Sequence, residues 1–542
     1  MTHSKNSKAQ RINKGLFRSS FSRLAAAIAI IIFICVMLYL SVVALISTVD
    51  MNTENAMLEN VVYHADSVIS VLFGIAILAI LALALRWAIE KVNIWIVISA
   101  SSVLVLILGA VWVTSSLSAP THDSLIVSRA AYHASIGDYS YISADYFKRF
   151  PFQLGYVLYS EIIIKLFGTA DNYLVIEYMN VLCLALSYFA LMLSAKKLWG
   201  NGAARMMAVI APLCAQPILF CTFTYGNISG LAFASLAIWQ FLEIKEGWRG
   251  YIHGALSALF LGISVALKMN FMIVLVAIAI IGLVRLIRHK RLADLVCVGL
   301  CLCFCLALPA LAQSHYERRA EVKYGDGIPM VSWLAMGLNE SSIAPGWYNG
   351  KYTVTNFHSH DMDTSAAADA SAEVIKERIE VFKDDPQYTA DFFSQKIVSQ
   401  WNEPTYQSLW TNQVRGRYGE MGKLATWALV DGEKDVKAYM SRFQELVFLA
   451  SFAAALMLFK RKRIIDALLP TVFLGGFIYH ALFEAKSQYA ITYFVLLIPL
   501  AAYALNRLYV LLLSNRRVKN PKGSKKVHAK VRAWSLLIVI FS

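Results

Sequence analysis

Long uninterrupted apolar runs constrain the fold of this chain more than any other feature of its sequence. They follow one another from Leu24 to Leu513 and carry few charged residues. A helix of about 20 residues crosses the roughly 30 Å hydrocarbon core of a bilayer, where no water satisfies free backbone groups. The runs are continuous rather than alternating, which is typical of helices and not of barrel strands. We therefore predict an all-α, polytopic membrane helical bundle with about 12 spans, among them Met206–Phe220 and Ile228–Leu242.

The positive charge of the chain is concentrated beside the apolar runs. The formal net charge is +15 at pH 7. Basic clusters lie at residues 1–23, Arg285–Arg291, Lys460–Arg463 and Arg516–Arg532. Lys and Arg next to spans mark the cytoplasmic side of a membrane protein. Topology and anionic lipid thus account for the charge, and we expect no nucleic acid among the partners.

Together, the apolar runs and basic clusters divide the chain into five regions. These are a basic cytoplasmic tail (1–23), a transmembrane region (24–311), an external insertion (312–443), C-terminal spans (444–513) and a second basic cytoplasmic tail (514–542). Within the transmembrane region, the loop 117–152 is expected on the outer face of the plasma membrane, where it would carry the active site.

The apolar stretch 154–167 decides the orientation of all that follows. It is short and contains Glu161 and Lys165, which form a favourable (i, i+4) ion pair on a helix. We expect it to lie in the membrane interface rather than to cross. The alternative is that it crosses, which would invert every later segment.

The external insertion is predicted to be mostly helical. Asp363 or Ser365 can cap a helix over 366–383, and this helix should end before Pro386. A second short helix is expected over 390–401. Both helices are predicted to pack as a lid over the outer face.

Asp123 is the strongest candidate for a catalytic side chain. It follows the third apolar run closely, where a lipid-borne head group meets water. A carboxylate in that position can act as general base on an acceptor hydroxyl. The alternative is that Asp123 caps a helix over 124–134, a common role for Asp before an apolar-periodic stretch.

The turn from His480 to Tyr489 places an acid, a base and two polar groups on the same predicted membrane face as Asp123. Lys486 and Arg149 could provide cationic stabilisation for a lipid-borne phosphate group at this depth. The alternative for Lys486 is that it snorkels to the interface. Secondary polar contacts are expected from His122, Asp138, Glu484, Gln488 and Tyr489. Of these, Asp138 follows a glycine and has the character of a turn residue.

Two stretches contain metal-ligand residue types. Cys301, Cys303 and Cys305 alternate within an apolar run, where cysteines more often serve as small packing residues. The stretch Phe357–Asp363 holds two histidines and two aspartates, but its spacing matches no specific metal site and favours a solvated loop. We assign no cofactor, and a divalent metal requirement is left open.

Short motifs in a fixed order resemble a known family. They are Asp123, Gly137-Asp138-Tyr139-Ser140, Phe150-Pro151-Phe152-Gln153-Leu154-Gly155, Met336-Gly337-Leu338, Pro345-Gly346-Trp347-Tyr348 and Glu484-Ala485-Lys486-Ser487-Gln488-Tyr489. In this order, the chain from about Ser115 to Leu513 resembles the bacterial GT-C glycosyltransferases, which include protein O-mannosyltransferases and lipid A aminoarabinose transferases. It is most similar to their mannosyltransferase-related, family-39-like members. In that family an acid of the first large external loop is catalytic, and this acid maps to Asp123.

The resemblance implies an inverting membrane glycosyltransferase that uses a polyprenyl-phosphate sugar. The expected partners are this donor, membrane lipid and an extracytoplasmic acceptor, which could be a cell-envelope glycan, lipid or protein. Aromatic faces suit sugars, so Trp347, Tyr348 and Trp401 are predicted to shape an acceptor cleft. Two alternatives are a transporter or flippase of lipid-linked sugars and a non-catalytic envelope-assembly protein. Transporters usually show repeated halves and broken helices, and the sequence indicates neither.

Overall fold

The structure is a computed structural model that describes residues 2–51, 59–168 and 173–518, with side chains from 18 to 514. The structure is 79% helical with almost no strand, which confirms the predicted all-α class. The one regular sheet among the described residues is a hairpin of two antiparallel strands, β1 (Ser47–Met51) and β2 (Val61–Ala65).

Ten helices in the described residues are long and apolar enough to cross a membrane. In chain-order numbering they are α1 (Thr2–Ile46), α2 (Val68–Ala88), α3 (Ile94–Ser116), α7 (Leu174–Trp199), α11 (Trp248–Leu267), α12 (Met272–His289), α13 (Leu292–Ala320), α20 (Glu433–Arg461), α21 (Leu468–Leu482) and α22 (Ser487–Val518). This is the architecture of a multi-pass membrane protein.

The remaining two predicted spans differ from straight long helices. The predicted span Met206–Phe220 is a bent pair, α8 (Asn201–Ile210) and α9 (Ala215–Leu219), with a 55° angle across the break. Pro212 lies in the break, and proline lacks the N–H that continues a helix. The expectation that no helix is broken is therefore wrong. The second predicted span, Ile228–Leu242, is one helix of 17 residues, α10 (Asn227–Glu243), and is not one of the ten long helices.

The bundle is organised around α22. Of its apolar stretch, 72% is buried inside the protein, compared with 11% for α2 at the periphery. Ile491, Phe494 and Leu497 of α22 are fully buried, whereas Ile69 and Phe73 of α2 are largely exposed. Exposed apolar side chains of this kind are accommodated by lipid rather than water. The turn that precedes α22 therefore adjoins the most buried of the ten long helices.

Three shorter helices follow α3 and form the region around the predicted loop. They are α4 (His122–Ser135), α5 (Asp145–Arg149) and α6 (Leu154–Phe167). The predicted ion pair within α6 is confirmed, with Lys165 Nζ 2.5 Å from Glu161 Oε1. Glu161 also accepts a hydrogen bond from the Tyr316 hydroxyl at 2.5 Å and pairs with Arg319 at 3.3 Å. These contacts tie α6 to the end of α13.

The predicted insertion is built from short helices. They are α14 (Met330–Gly337), α15 (Asn356–Ser359), α16 (Thr364–Asp384), α17 (Pro386–Trp401), α18 (Ser408–Gln413) and α19 (Lys423–Thr426). The predicted cap of α16 is confirmed, because Asp363 Oδ1 accepts from the backbone N–H groups of Ser365 and Ala366. The predicted insertion boundaries at 312 and 443 lie inside α13 and α20. Those two helices therefore continue beyond the apolar runs that suggested the boundaries.

Candidate active site

Asp123 is the second residue of α4, not its cap. The cap is Thr121, whose backbone N–H donates to Ser124 Oγ at 3.2 Å. The interpretation of Asp123 as the helix cap is therefore wrong, and its carboxylate is left for other contacts. His122 beside it has a φ of 49°, in the left-handed region that non-glycine residues rarely occupy. Such conformations cluster at functional sites.

Tyr225 orients the Asp123 carboxylate. Its hydroxyl donates to Asp123 Oδ2 at 3.3 Å and accepts from Gln153 Nε2 at 2.6 Å. The Tyr146 hydroxyl lies 3.2 Å from the Tyr225 hydroxyl. Burial and the neighbouring Tyr146 and Asp123 hold the pKa of Tyr225 well above its usual value, so Tyr225 stays protonated and remains a donor.

Asp123 lies close to Tyr225, Lys486, His122 and Arg149, a group here called the recess, and these neighbours alter its acidity. Its side chain is exposed, so the recess is open to solvent. Because the surrounding protein removes part of the solvent around the carboxylate, the pKa of Asp123 is nevertheless raised above the ordinary value. Lys486, the Tyr225 hydrogen bond, His122 and Arg149 act in the opposite direction. Asp123 is thus a solvent-accessible carboxylate close to three basic side chains, those of Lys486, His122 and Arg149.

The turn between α21 and α22 supplies a second acid and a cation to this recess. Glu484 is 9% exposed and accepts a hydrogen bond from the Tyr489 hydroxyl at 3.3 Å. Burial raises the pKa of Glu484 to about 7, although Lys486 opposes the shift. Lys486 Nζ lies 2.5 Å from Glu59 Oε1. Burial alone would lower the pKa of Lys486, but Glu59 and Glu484 outweigh it and the pKa is raised.

Lys268, between α11 and α12, completes the group of cations. Its ammonium lies 4.9 Å from the centre of the Tyr225 ring and 5.3 Å from that of Tyr489. Burial lowers its pKa to about 8, while Glu484 and Asp123 act to raise it. Lys268 is therefore close enough to both acids of the recess to be influenced by them, and it lies over two aromatic rings.

Tyr348 is the aromatic residue of the predicted cleft that reaches this recess. It is 44% exposed, and burial together with Glu484 and Asp123 raises its pKa. Trp347 is fully buried, and its indole N–H donates to Ser399 Oγ at 2.8 Å. Trp401 is likewise fully buried, against Phe473 and other rings. Neither indole has an accessible face, so only Tyr348 has a surface that an acceptor can contact.

Two other predicted residues lie apart from Asp123. Asp138 accepts from the Ser140 backbone N–H at 2.9 Å and is 2.7 Å from His133 Nδ1. These hydrogen bonds lower its pKa to about 2, as in a turn residue. Gln488 is buried, and its backbone carbonyl oxygen accepts a hydrogen bond from Asn227 Nδ2 at 3.3 Å. In the described part of the chain, no hydrogen bond joins the Gln488 side chain to the recess.

Three residues of the recess have no motif around them in the sequence. Tyr225 precedes Gly226 and α10 without any distinctive pattern, and Glu59 is one of several acids in a short loop. Lys268 stands out only as a charge between two apolar runs, where ionisable groups are costly and often functional. That signal marks Lys268 in the sequence, but nothing comparable marks the other two.

The described residues contain no group of three or more His, Cys, Asp or Glu side chains that could hold a metal ion. Cys301 and Cys305 are buried on one face of α13, while Cys303 is exposed, and all three are free thiols. This arrangement agrees with a packing role for the buried pair. The recess itself offers both carboxylates and cations to a ligand.

The chain is similar to solved structures at low sequence identity. No protein-family model and no curated protein matches this sequence. Among solved structures, the chain is similar to the oligosaccharyltransferase AglB from Archaeoglobus fulgidus in complex with an inhibitory peptide and a dolichol-phosphate. The identity is 13%, the alignment covers 83% of this chain and 54% of that chain, and the TM-score is 0.44.

Two further structures of the oligosaccharyltransferase from the same organism are similar. The apo form has 15% identity, coverage of 83% and 55%, and a TM-score of 0.45. The complex with Zn and sulfate has 13% identity, coverage of 82% and 51%, and a TM-score of 0.42. This chain spans about half the length of those chains. The likeness assigns no role to any residue of this protein.

Proposed function

We propose that this protein is a GT-C-type membrane glycosyltransferase that moves a sugar from a polyprenyl-phosphate donor to an extracytoplasmic acceptor. The observation that carries the proposal is the Asp123 carboxylate itself. It is exposed in a recess, oriented by the Tyr225 hydroxyl at 3.3 Å, and influenced by Lys486 and Arg149. A base beside converging cations suits the transfer of a sugar from a phosphate to a hydroxyl.

The proposed reaction is a single displacement with inversion. The acceptor oxygen attacks the anomeric carbon and forms the new glycosidic bond, while its proton passes to Asp123. The bond from the anomeric carbon to the phosphate oxygen breaks, and its electron pair leaves with the lipid phosphate. Asp123 suits this step because its raised pKa makes it a stronger base than an ordinary surface carboxylate.

Lys486, Lys268 and Arg149 are proposed to stabilise the phosphate as its negative charge develops. Lys486 is held by Glu59 and Lys268 by two aromatic rings, so both cations are positioned before the substrate arrives. Charge that is fixed in advance stabilises a transition state without reorganisation. Tyr348 is proposed to contact the acceptor, because its exposed ring lies at the same recess.

The test is transfer from a radiolabelled polyprenyl-phosphate sugar in proteoliposomes, with wild type beside Asp123→Asn. We expect turnover in the wild type and a loss of roughly 10²-fold or more in the variant. The matched control is Asp145→Asn, an exposed acid of the same region whose ion-pair partner Lys148 is 3.5 Å away. Turnover that survives in Asp123→Asn would remove Asp123 as the base. Absence of transfer with every donor would contradict the proposal.

A second candidate function, a flippase of lipid-linked sugars, is favoured by one observation. The 55° bend between α8 and α9 is a broken helix of the kind that transporters use. The same proteoliposomes separate the two functions. A flippase would move intact donor lipid between leaflets without releasing sugar, and Asp123→Asn would not be expected to abolish that movement.

A further inference from the structure

A second charged cavity lies among the described residues, remote from the Asp123 recess. It has a volume of about 380 Å³, and its lining includes seven basic side chains and no acidic one. Six of these, here called the basic pocket, are Lys197, Lys245, Arg285, Arg288, Arg291 and Arg463. The apolar side of the cavity is formed by isoleucine and leucine side chains.

The basic pocket lies at the opposite end of the bundle from Asp123. Helix α10 starts beside Tyr225 of the recess and ends beside Lys245 of the pocket, and α12 runs from near Lys268 towards Arg288. These helices contain 17 and 18 residues. At 1.5 Å per residue they are about 26 Å long. That length is close to the roughly 30 Å hydrocarbon core, so the pocket lies at head-group level on the other membrane face.

Arg285 connects the helix ends that form the pocket. Arg285 is 5% exposed, lies 2.9 Å from Asp294 and donates to the carbonyl oxygens of Phe241 and Ile244 at 3.3 and 3.1 Å. It therefore joins the ends of α10, α12 and α13. Because Arg285 already forms an ion pair with Asp294, it connects the ends of these helices and offers no free charge to a ligand.

Three other cations of the pocket form ion pairs with acids outside its lining. Lys197 lies 2.5 Å from Glu243, and Arg463 lies 2.8 Å from Asp466, which it shares with Arg461. Arg291 lies 3.7 Å from the exposed Glu246.

Lys245 and Arg288 differ from the rest of the pocket. Both are exposed, and neither has an ion-pair partner in the described part of the chain. The pocket therefore keeps two uncompensated positive charges beside an apolar wall.

We propose that the basic pocket binds the phosphate group of an anionic phospholipid in the leaflet opposite the Asp123 recess. Lys245 and Arg288 would supply the free charges, and the apolar wall would face the glycerol and upper acyl chain. A basic pocket between spans at head-group depth is suited to this ligand. The inference does not depend on the proposed glycosyl transfer, because the two sites lie at opposite ends of the helices.

The test measures binding of phosphatidylglycerol to the purified full chain in zwitterionic detergent by native mass spectrometry. The pocket variant is Lys245→Gln with Arg288→Gln, which leaves no acid without its partner. We expect its Kd for phosphatidylglycerol to rise roughly tenfold or more, since each basic side chain near an anionic surface adds appreciably to binding. The matched control is Lys91→Gln with Lys460→Gln, two exposed lysines outside the pocket that change the charge equally.

Each outcome decides for or against the proposal. A rise in Kd in the pocket variant alone supports it. An equal rise in both variants, or equal binding of phosphatidylcholine by the wild type, would assign the effect to general surface charge and overturn it. Displacement of the lipid by inorganic phosphate would identify a soluble phosphate compound as the ligand instead. If the double variant does not fold, Lys245→Gln alone is used, and an unchanged Kd there contradicts the proposal.

Discussion

The Tyr225 hydroxyl donates to Asp123 Oδ2 at 3.3 Å while the Gln153 amide donates to the same hydroxyl at 2.6 Å. Because Gln153 occupies an acceptor position of the phenol, the phenolic proton is directed towards the carboxylate. The contact joins the start of α4 to the loop before α10, two segments that are far apart in sequence. It sets the direction of the carboxylate and stabilises its charged form.

Tyr225→Phe is expected to shift the acidic limb of the pH–rate profile to higher pH. Removing a hydrogen bond to the carboxylate raises the pKa of Asp123, so more of it is protonated and inactive at a given pH. At a fixed pH on the acidic limb, turnover should fall roughly tenfold, the size expected for loss of one hydrogen bond to a charged group. The measurement is sugar transfer from roughly pH 4 to 8, a range that begins near the ordinary pKa of a carboxyl group. Tyr141→Phe, a partly exposed tyrosine stacked on His133, serves as control and should leave the profile unchanged.

Lys486→Gln is expected to weaken donor binding and to lower stability. The side chains of Lys486 and Glu59 are 19% and 11% exposed, so the variant leaves a largely buried carboxylate unpaired. We expect a loss of roughly 1–3 kcal/mol in the free energy of unfolding. Glu59→Gln combined with Lys486→Gln should restore most of the thermal stability but not the affinity for the donor. Recovery of both properties in the double variant would show that Lys486 has a purely structural role.

Lys268→Arg is expected to extend activity to higher pH. The pKa of Lys268 is lowered to about 8, so the wild-type side chain loses its charge as the pH rises through 8. Arginine keeps its charge throughout this range. If Lys268 stabilises the leaving phosphate, the alkaline limb near pH 8 should move up by about one unit or more in the variant. An alkaline limb that stays in place would mean that another group controls it.

Lys396→Met is expected to loosen the turn that carries Glu484. Lys396 is fully buried and donates to the carbonyl oxygens of Gly337, Leu482 and Phe483, which connects α17 to that turn. Loss of these hydrogen bonds should lower the free energy of unfolding by roughly 2–4 kcal/mol. The measurement is thermal unfolding in detergent. Lys376→Met, an exposed lysine of α16, is the control and should change stability little.

Lys396→Met is also expected to change how the free energy of unfolding depends on pH. Burial lowers the pKa of Lys396 to about 7, below its ordinary value of 10.5, so the unfolded chain binds the proton more tightly. This group therefore makes the folded state more stable as the pH rises from about 7 to 10.5. The difference in stability between wild type and Lys396→Met should grow over that range. A constant difference would contradict the assignment.

Local patterns determined most of the secondary structure. The apolar runs located the long helices, the Asp363 cap and Pro386 bounded α16, and the spacing of Glu161 and Lys165 predicted their ion pair. These features depend on residues within about one or two helical turns of each other. Such short-range relationships can be recognised from the sequence alone. The bend at α8 and α9 was missed although Pro212 lies within it. A proline in an apolar run can also be accommodated within a helix, as Pro309 is within α13.

The apolar runs alone indicate a membrane protein, and local sequence context singles out Asp123, Glu484 and Lys486 as candidate site residues. That these residues share one recess with Tyr225 and Lys268, and that Trp347 is buried away from solvent, depends on the tertiary fold. These side chains come from segments far apart in the chain. Their distances and exposure follow from how the helices pack around α22, and helix packing depends on contacts that no local pattern records.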